Sequence, residues 1–228
     1  AVCDGMGGND GGEIASRMAV AAIERTVLEA GHTPDRWTVA EAGALLRRAV
    51  ALAHEEIVKA SEELGFERPM GTTVVAVLVT RETAVVASVG DSRAYLLMGG
   101  QYLRITRDHT LANQYADLGL IPRSAVRGHP LRNVLARVVG SPAGVEADIW
   151  EVPVPPGSRL LLCTDGLFEM VEEDETMRIL RHESDPATIA AELVEAALKG
   201  GGRDNVTVVV IERSEEPEHA GARISRCA

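Results

Sequence analysis

Over residues 13–30, Ile14, Met18 and Ala22 fall beside Ala15, Ala19, Ile23 and Val27 in two rows at spacing four, and Gly31 supplies a stop. This predicts an amphipathic helix opened by a glycine-rich turn. A second helix is predicted after Thr38, whose hydroxyl can cap the backbone while Glu41 closes the box, with Leu46, Val50, Ala53 and Ile57 inside and Gly65 beyond its end. The period then changes. Residues 73–80, 84–89, 94–98 and 102–105 are short β-rich runs separated by Arg81-Glu82, 90–93 and Gly99-Gly100, and such short connections predict antiparallel hairpins. Residues 111–139 are polar and irregular, interrupted by Pro122, Gly128 and Pro130, with a short helix expected near 112–118; the length marks a flap over a site. Strands at 145–152, 159–164 and 206–211 and helices at 173–181 and from Asp185 to Lys199, with Pro186 in the first turn, complete the pattern. Residues 213–228 have the composition of a solvated tail. Strands in blocks, with helices before and after them, give an α+β class.

Composition narrows this little further. The 228 residues, 46% hydrophobic, suffice for one core. A balance of 23 basic to 34 acidic residues, net −11, argues against nucleic-acid and anionic-membrane partners. Cys3 and Cys163 lie inside apolar runs and Cys227 near the end, an odd set that reads as reduced thiols in a cytoplasmic protein. No stretch reaches the ~20 apolar residues that a bilayer crossing needs.

The chemistry concentrates at four aspartates where apolar runs begin or end beside Gly or Asn: Asp4, Asp91, Asp165 and Asp204. Carboxylates at strand mouths are hard oxygen donors for divalent cations. Taken singly, each reads equally well as a turn residue, Asp91 closing a hairpin and Asp204 forming an Asx turn. Four acidic turns on core strands are harder to explain separately than as one cluster. The glycine-rich run after Asp4 is no nucleotide loop, since no Gly-Lys-Ser/Thr follows it.

Seven ordered strings then carry a resemblance: Asp4-Gly5-Met6-Gly7-Gly8, Gly71-Thr72-Thr73, Val89-Gly90-Asp91-Ser92-Arg93, Asp108-His109, His129-Pro130 with Arg132-Asn133-Val134, Cys163-Thr164-Asp165-Gly166-Leu167, and Asp204-Asn205-Val206-Thr207. Together they resemble the metal-dependent serine/threonine protein phosphatases of type 2C, the bacterial branch above all. The resemblance implies two antiparallel β-sheets flanked by helices on both outer faces, spanning residues 1–212, with two divalent cations, Mn²⁺ or Mg²⁺, at one end. It implies Asp4 as a bridging ligand, the Gly5 carbonyl on one ion, Asp165 and Asp204 on the other, and Asp91 with Asp165 at a third position. Two cations roughly 3.5–4 Å apart acidify a shared water that attacks phosphorus, so no protein nucleophile is needed. A cysteine phosphatase is disfavoured, because Asn9 and Glu169 stand six residues after Cys3 and Cys163, where it needs arginine. The implied partners are phosphorylated serine/threonine proteins and a kinase pathway, for a monomeric enzyme.

Members of that family carry an earlier strand whose arginine grips substrate phosphate. This sequence starts beyond that point, so the catalytic domain reads as N-terminally incomplete, with Arg17 and Arg93 as candidate stand-ins. Two alternatives stay open: a catalytically impaired binding or regulatory module, and a hydrolase of small phosphate esters. His109 and His129 read as structural histidines.

Overall fold

The computed structural model describes residues 1–6, 11–31, 37–214 and 223–227. Residues 7–10, which hold the middle of the glycine-rich turn, lie outside the described residues, as do 32–36, 215–222 and 228.

The two N-terminal helices form as their periodicity predicts, α1 at Gly12–Glu29 and α2 at Val39–Glu63. At the start of α2 the Thr38 hydroxyl accepts from the Glu41 amide at 3.2 Å and the Glu41 carboxylate accepts from the Thr38 amide at 2.8 Å, the reciprocal pair expected of that spacing. Strands β1 (Val74–Val79), β2 (Thr83–Val89), β3 (Arg93–Met98) and β4 (Gln101–Arg104) follow. The flap contains α3 (Leu111–Asp117) and a 3₁₀ turn, Arg123–Gly128. Then come β5 (Asp148–Pro153), β6 (Arg159–Cys163), the single turn α4 (Asp165–Phe168), α5 (Glu173–Leu180), α6 (Pro186–Lys199), β7 (Val208–Glu212) and β8 (Arg223–Cys227).

Two antiparallel sheets result, one in the order β1-β2-β5 and the other β4-β3-β6-β7-β8. The period-two alternation of each strand explains the layering. Ala76, Val85, Ala87 and Val89 turn outward onto α1 and α2, whereas Val75, Ala84 and Val86 turn inward to meet Ala94, Leu96, Leu160, Leu162 and Val209 of the other sheet. On that second sheet's far side Tyr95, Leu161, Cys163, Val208 and Val210 pack under α5 and α6 with Ile179, Ile189 and Leu193. Strands covered on both faces read as continuous apolar runs, as residues 160–163 and 208–211 do. The architecture is the helix-flanked sandwich that the resemblance implies.

Two expectations are corrected. The connection at 90–92 is not a hairpin: β2 pairs with β1 and β5, and β3 with β4 and β6, so the chain crosses from one sheet to the other there. Gly90, at φ +96°, makes the turn in too little space for a side chain, since a Cβ would stand 2.6 Å from Thr73. The stretch after residue 212 is not wholly a solvated tail. Arg213 donates its amide to the Ser158 carbonyl at 2.9 Å, and Arg223–Cys227 pairs with β7. Backbone pairing along an open sheet edge needs no apolar composition, so composition gave no warning.

Candidate metal centre and its cleft

The strand registers bring the four aspartates to one end of the sandwich. Arg93 of β3 lies opposite Cys163 of β6, and Cys163 opposite Val208 of β7. Asp91, two residues before Arg93, Asp165, two after Cys163, and Asp204, four before Val208, therefore all emerge from the same end of the second sheet. In the first sheet Val2 bridges Val75 and Gly5 bridges Thr72, while Val74 faces Val89, which sets Asp4 and Asp91 side by side at its matching end.

Buried hydroxyls stitch these turns together. The Asp4 amide donates to Thr73 Oγ1 at 3.0 Å, Thr73 returns its amide to the Asp4 carbonyl at 2.8 Å, and Thr73 Oγ1 lies 2.6 Å from Ser92 Oγ. Asp4 and Asp91 are thus joined through two side chains. On the other side Thr164 Oγ1 accepts from the Thr207 amide at 3.1 Å and donates to the Asn205 carbonyl at 3.3 Å, which ties Asp165 to the Asp204 loop. Gly5 packs so tightly on the start of α1 that a Cβ would sit 2.0 Å from the Gly12 carbonyl oxygen. The Asp204 carboxylate accepts the amide of its immediate neighbour, Asn205, at 2.7 Å, one residue short of the partner that an Asx turn requires.

The electrostatics follow from this crowding. Burial, then the charges of Asp165, Asp204 and Asp91, push the Asp4 carboxyl up to about 7. Burial, then Asp165 and Asp108, push Asp91 up to about 7 as well. Asp165 is raised by burial and by Asp204, and its Oδ1 is buried with no hydrogen-bond partner among the described residues. Among those residues no three acidic, histidine or cysteine side chains are drawn tightly enough together to wrap an ion. What the four share is a field and a sheet end, as repelling carboxylates on separate turns would. Crowded carboxylates with an orphaned Asp165 Oδ1 are a donor set that a hard divalent cation suits, because its charge offsets both the burial of Asp4, Asp91 and Asp165 and their repulsion.

Beside the carboxylates opens a cleft of about 620 Å³, lined by Asp91, Arg93, Asp165 and Phe168 of the sandwich and by Arg123, Arg127 and Arg132 of the flap. Arg127 pairs with Glu172 at 2.8 Å and Arg132 with Glu169 at 3.5 Å, across the cleft. Arg93 is no free anion receptor. Its guanidinium forks onto Asp108 at 3.0 and 2.8 Å and lies 3.3 Å from the Phe168 ring centroid. Arg17 is exposed on α1. His109 is buried and uses both ring nitrogens, and burial, then Arg137, holds it below the usual histidine range. His129 Nδ1 accepts from the Leu131 amide at 3.1 Å. Burial raises the Cys3 and Cys163 thiols to about 12, so neither is a thiolate at neutral pH.

The residues that the sequence reading did not single out are Thr73, Ser92, Thr164 and Phe168. The first three stood inside the quoted strings, and their small polar side chains within apolar runs were the available signal. Nothing in the sequence pointed to Phe168.

The Protein phosphatase 2C family profile matches residues 1–199. The serine/threonine phosphatase stp of Listeria monocytogenes is 37% identical over 217 residues, covering 93% of this chain and 83% of that protein. The crystal structure of the Mycobacterium tuberculosis serine/threonine phosphatase PstP/Ppp superposes with a TM-score of 0.83 at 33% identity, over 93% of this chain and 87% of that one. The catalytic domain of the serine/threonine protein phosphatase PstP, solved in complex with two manganese ions, superposes at 0.76 and 32% identity, over 98% and 86%.

Proposed function

The chain belongs to the protein phosphatase 2C family, and from that premise we propose that it hydrolyses phosphoserine and phosphothreonine in proteins with Mn²⁺ or Mg²⁺ held by Asp4, the Gly5 carbonyl, Asp91, Asp165 and Asp204. One observation carries the reading: aspartates from four separate chain segments emerge at one end of the sandwich, burial and neighbouring carboxylates raise the proton affinity of Asp4, Asp91 and Asp165, and Asp165 has a buried oxygen without a partner among the described residues. Divalent cations bound there would supply an activated water and offset the charge of the phosphoryl group.

The protein's own part is to hold and to exclude. Asp4 and Asp165 present oxygens on turns fixed by Thr73 and Thr164, so little ordering remains to be done when a ligand arrives. No side chain has to act as nucleophile: Cys3 is half-buried, Cys163 is buried, and both thiols stay protonated at neutral pH. The flap arginines Arg123, Arg127 and Arg132 line one cleft wall, paired with Asp117, Glu172 and Glu169, so a phosphorylated peptide would exchange those carboxylates for its phosphate. No helix among the described residues is long and apolar enough to cross a membrane. A cytoplasmic address, a monomeric state and a serine/threonine kinase acting on the same proteins complete the proposal.

The test is release of phosphate from phosphothreonine peptides with Mn²⁺ and with chelator. Asp4→Asn, Asp165→Asn and Asp204→Asn should each lower turnover by more than ~100-fold, since losing even the partner of a ligand costs up to that much. Turnover that survives chelation, or that is unchanged in Asp4→Asn and Asp165→Asn, would remove the metal centre from the reaction. A clear preference for small esters would instead make this a hydrolase of those.

A further inference from the structure

Asp91 stands on a crossover of three residues whose first, Gly90, has a left-handed backbone, so contacts from outside the crossover have to fix this carboxylate. Yet the residues on both sides of it are gripped by one dipeptide at the root of the flap. The His109 amide donates to the Gly90 carbonyl at 2.8 Å, and the Gly90 amide donates to His109 Nδ1 at 3.1 Å. Next door, Asp108 takes both forks of the Arg93 guanidinium and also binds Arg104. Arg93 in turn stacks on Phe168, at the end of the helical turn that begins with Asp165.

The grip is itself braced. Nδ1 accepts from Gly90, so the ring proton belongs on Nε2, which faces Asp148 Oδ2 at 3.1 Å. Asp148 is held by Arg137 at 2.6 Å, and the Ala136 amide donates to the His109 carbonyl at 2.8 Å. Both stems of the flap thus close on the same point. The His109 side chain is 6% exposed and that of Asp108 10%, whereas Asp91 lines the open cleft. Each residue of the dipeptide thus bonds to a neighbour of Asp91, His109 to Gly90 and Asp108 to Arg93, while the Asp91 carboxylate faces the cleft.

We propose that Asp108 and His109 are positioning residues that clamp the Asp91 turn from both sides, and thereby set how tightly a divalent cation is held between Asp91 and Asp165. The inference rests on the metal-centre reading above. It goes beyond it in assigning the strength of one cation position to groups that touch no cation.

Mn²⁺ titrations of the whole chain, followed by calorimetry and by electron paramagnetic resonance, test it without reference to turnover. Asp91→Asn should abolish the weakest class of bound Mn²⁺. His109→Leu and Asp108→Asn should weaken that class by roughly 10–100-fold, as loss of a ligand's partner does, and leave tighter classes unchanged. His109→Asn should recover most of the loss, because its amide oxygen can take the Gly90 amide proton in place of Nδ1. If Asp91→Asn loses a class of Mn²⁺ while both clamp variants bind as wild type, the clamp is overturned and the phosphatase reading stands. If wild type binds no Mn²⁺, both fall; if Asp91→Asn changes nothing, the clamp falls and Asp91 leaves the ligand set, while the phosphatase reading stands on Asp4, Asp165 and Asp204. Should the variants not fold, nitrogen-15 spectra of wild type decide: the clamp requires His109 protonated on Nε2 and bare on Nδ1, and the opposite tautomer overturns it.

Discussion

At Asp4 the cost of building a cation site is visible in one side chain. An acid whose ordinary value is 3.8 holds its proton up to about 7 in the folded protein, first because it is buried and then because three other carboxylates face it. A group that binds its proton more tightly folded than unfolded contributes stability below pH 3.8 and loses it as the pH climbs through about 7. Asp4→Asn removes that charge. With chelator at pH 8 the variant should be more stable than wild type by about 1 kcal/mol, roughly 2–4 °C for a chain of this size, a gain that shrinks toward pH 4. The measurement is thermal unfolding at the two pH values, and a variant less stable than wild type at pH 8 would show that the repulsion is not there. At this scale the sequence marked the aspartates only as a set, because each alone reads as an ordinary turn residue beside Gly or Asn. It left Arg93 ambiguous, since only the fold shows its guanidinium already committed to Asp108 and Phe168.

Among the elements, those fixed by local chemistry were the most legible. The Thr38–Glu41 box and Asp185, which accepts from the Ala187 and Thr188 amides with Pro186 behind it, start their helices where the sequence puts them. Such caps are separable from the core. Thr38→Ala should cost about 1 kcal/mol, and Leu193→Ala, fully buried on α6 under the second sheet, roughly 2–5 kcal/mol. Chemical denaturation at 25 °C measures both, and Thr38→Ala should leave Mn²⁺-dependent turnover unchanged. An equal loss from the two would mean that the α2 cap matters as much to stability as a fully buried core side chain of α6. Strands were legible as runs, but their partners were not: the short link at 90–92 suits a hairpin or a crossover equally. Only burial of β2 and β3 in different sheets decides between them.

For the whole molecule, the proposed cation binding would form one equilibrium with folding, because four segments far apart in sequence meet only when both sheets are assembled. Ions that bind the folded chain alone stabilise it by about 2.7 kcal/mol each at a hundredfold excess over Kd. Scanning calorimetry should therefore show one transition for the sandwich, lowered by roughly 5–11 °C on chelation of each well-bound ion. A melting temperature indifferent to Mn²⁺ would separate the carboxylate cluster from metal binding. The net charge of −11 acts in the same direction, drawing cations toward the acidic end at low ionic strength.

The sequence by itself determined the helices, the strand runs, the class and the identity of the acidic turns, since periodicity, capping and glycine placement act over a few neighbouring residues. The tertiary structure alone decided that β2 and β3 part into different sheets, that an edge strand follows residue 222, and that Asp108 and His109 close on the Asp91 turn. Those outcomes depend on backbone pairing and side-chain packing between residues distant in the chain, which leave no local period to read.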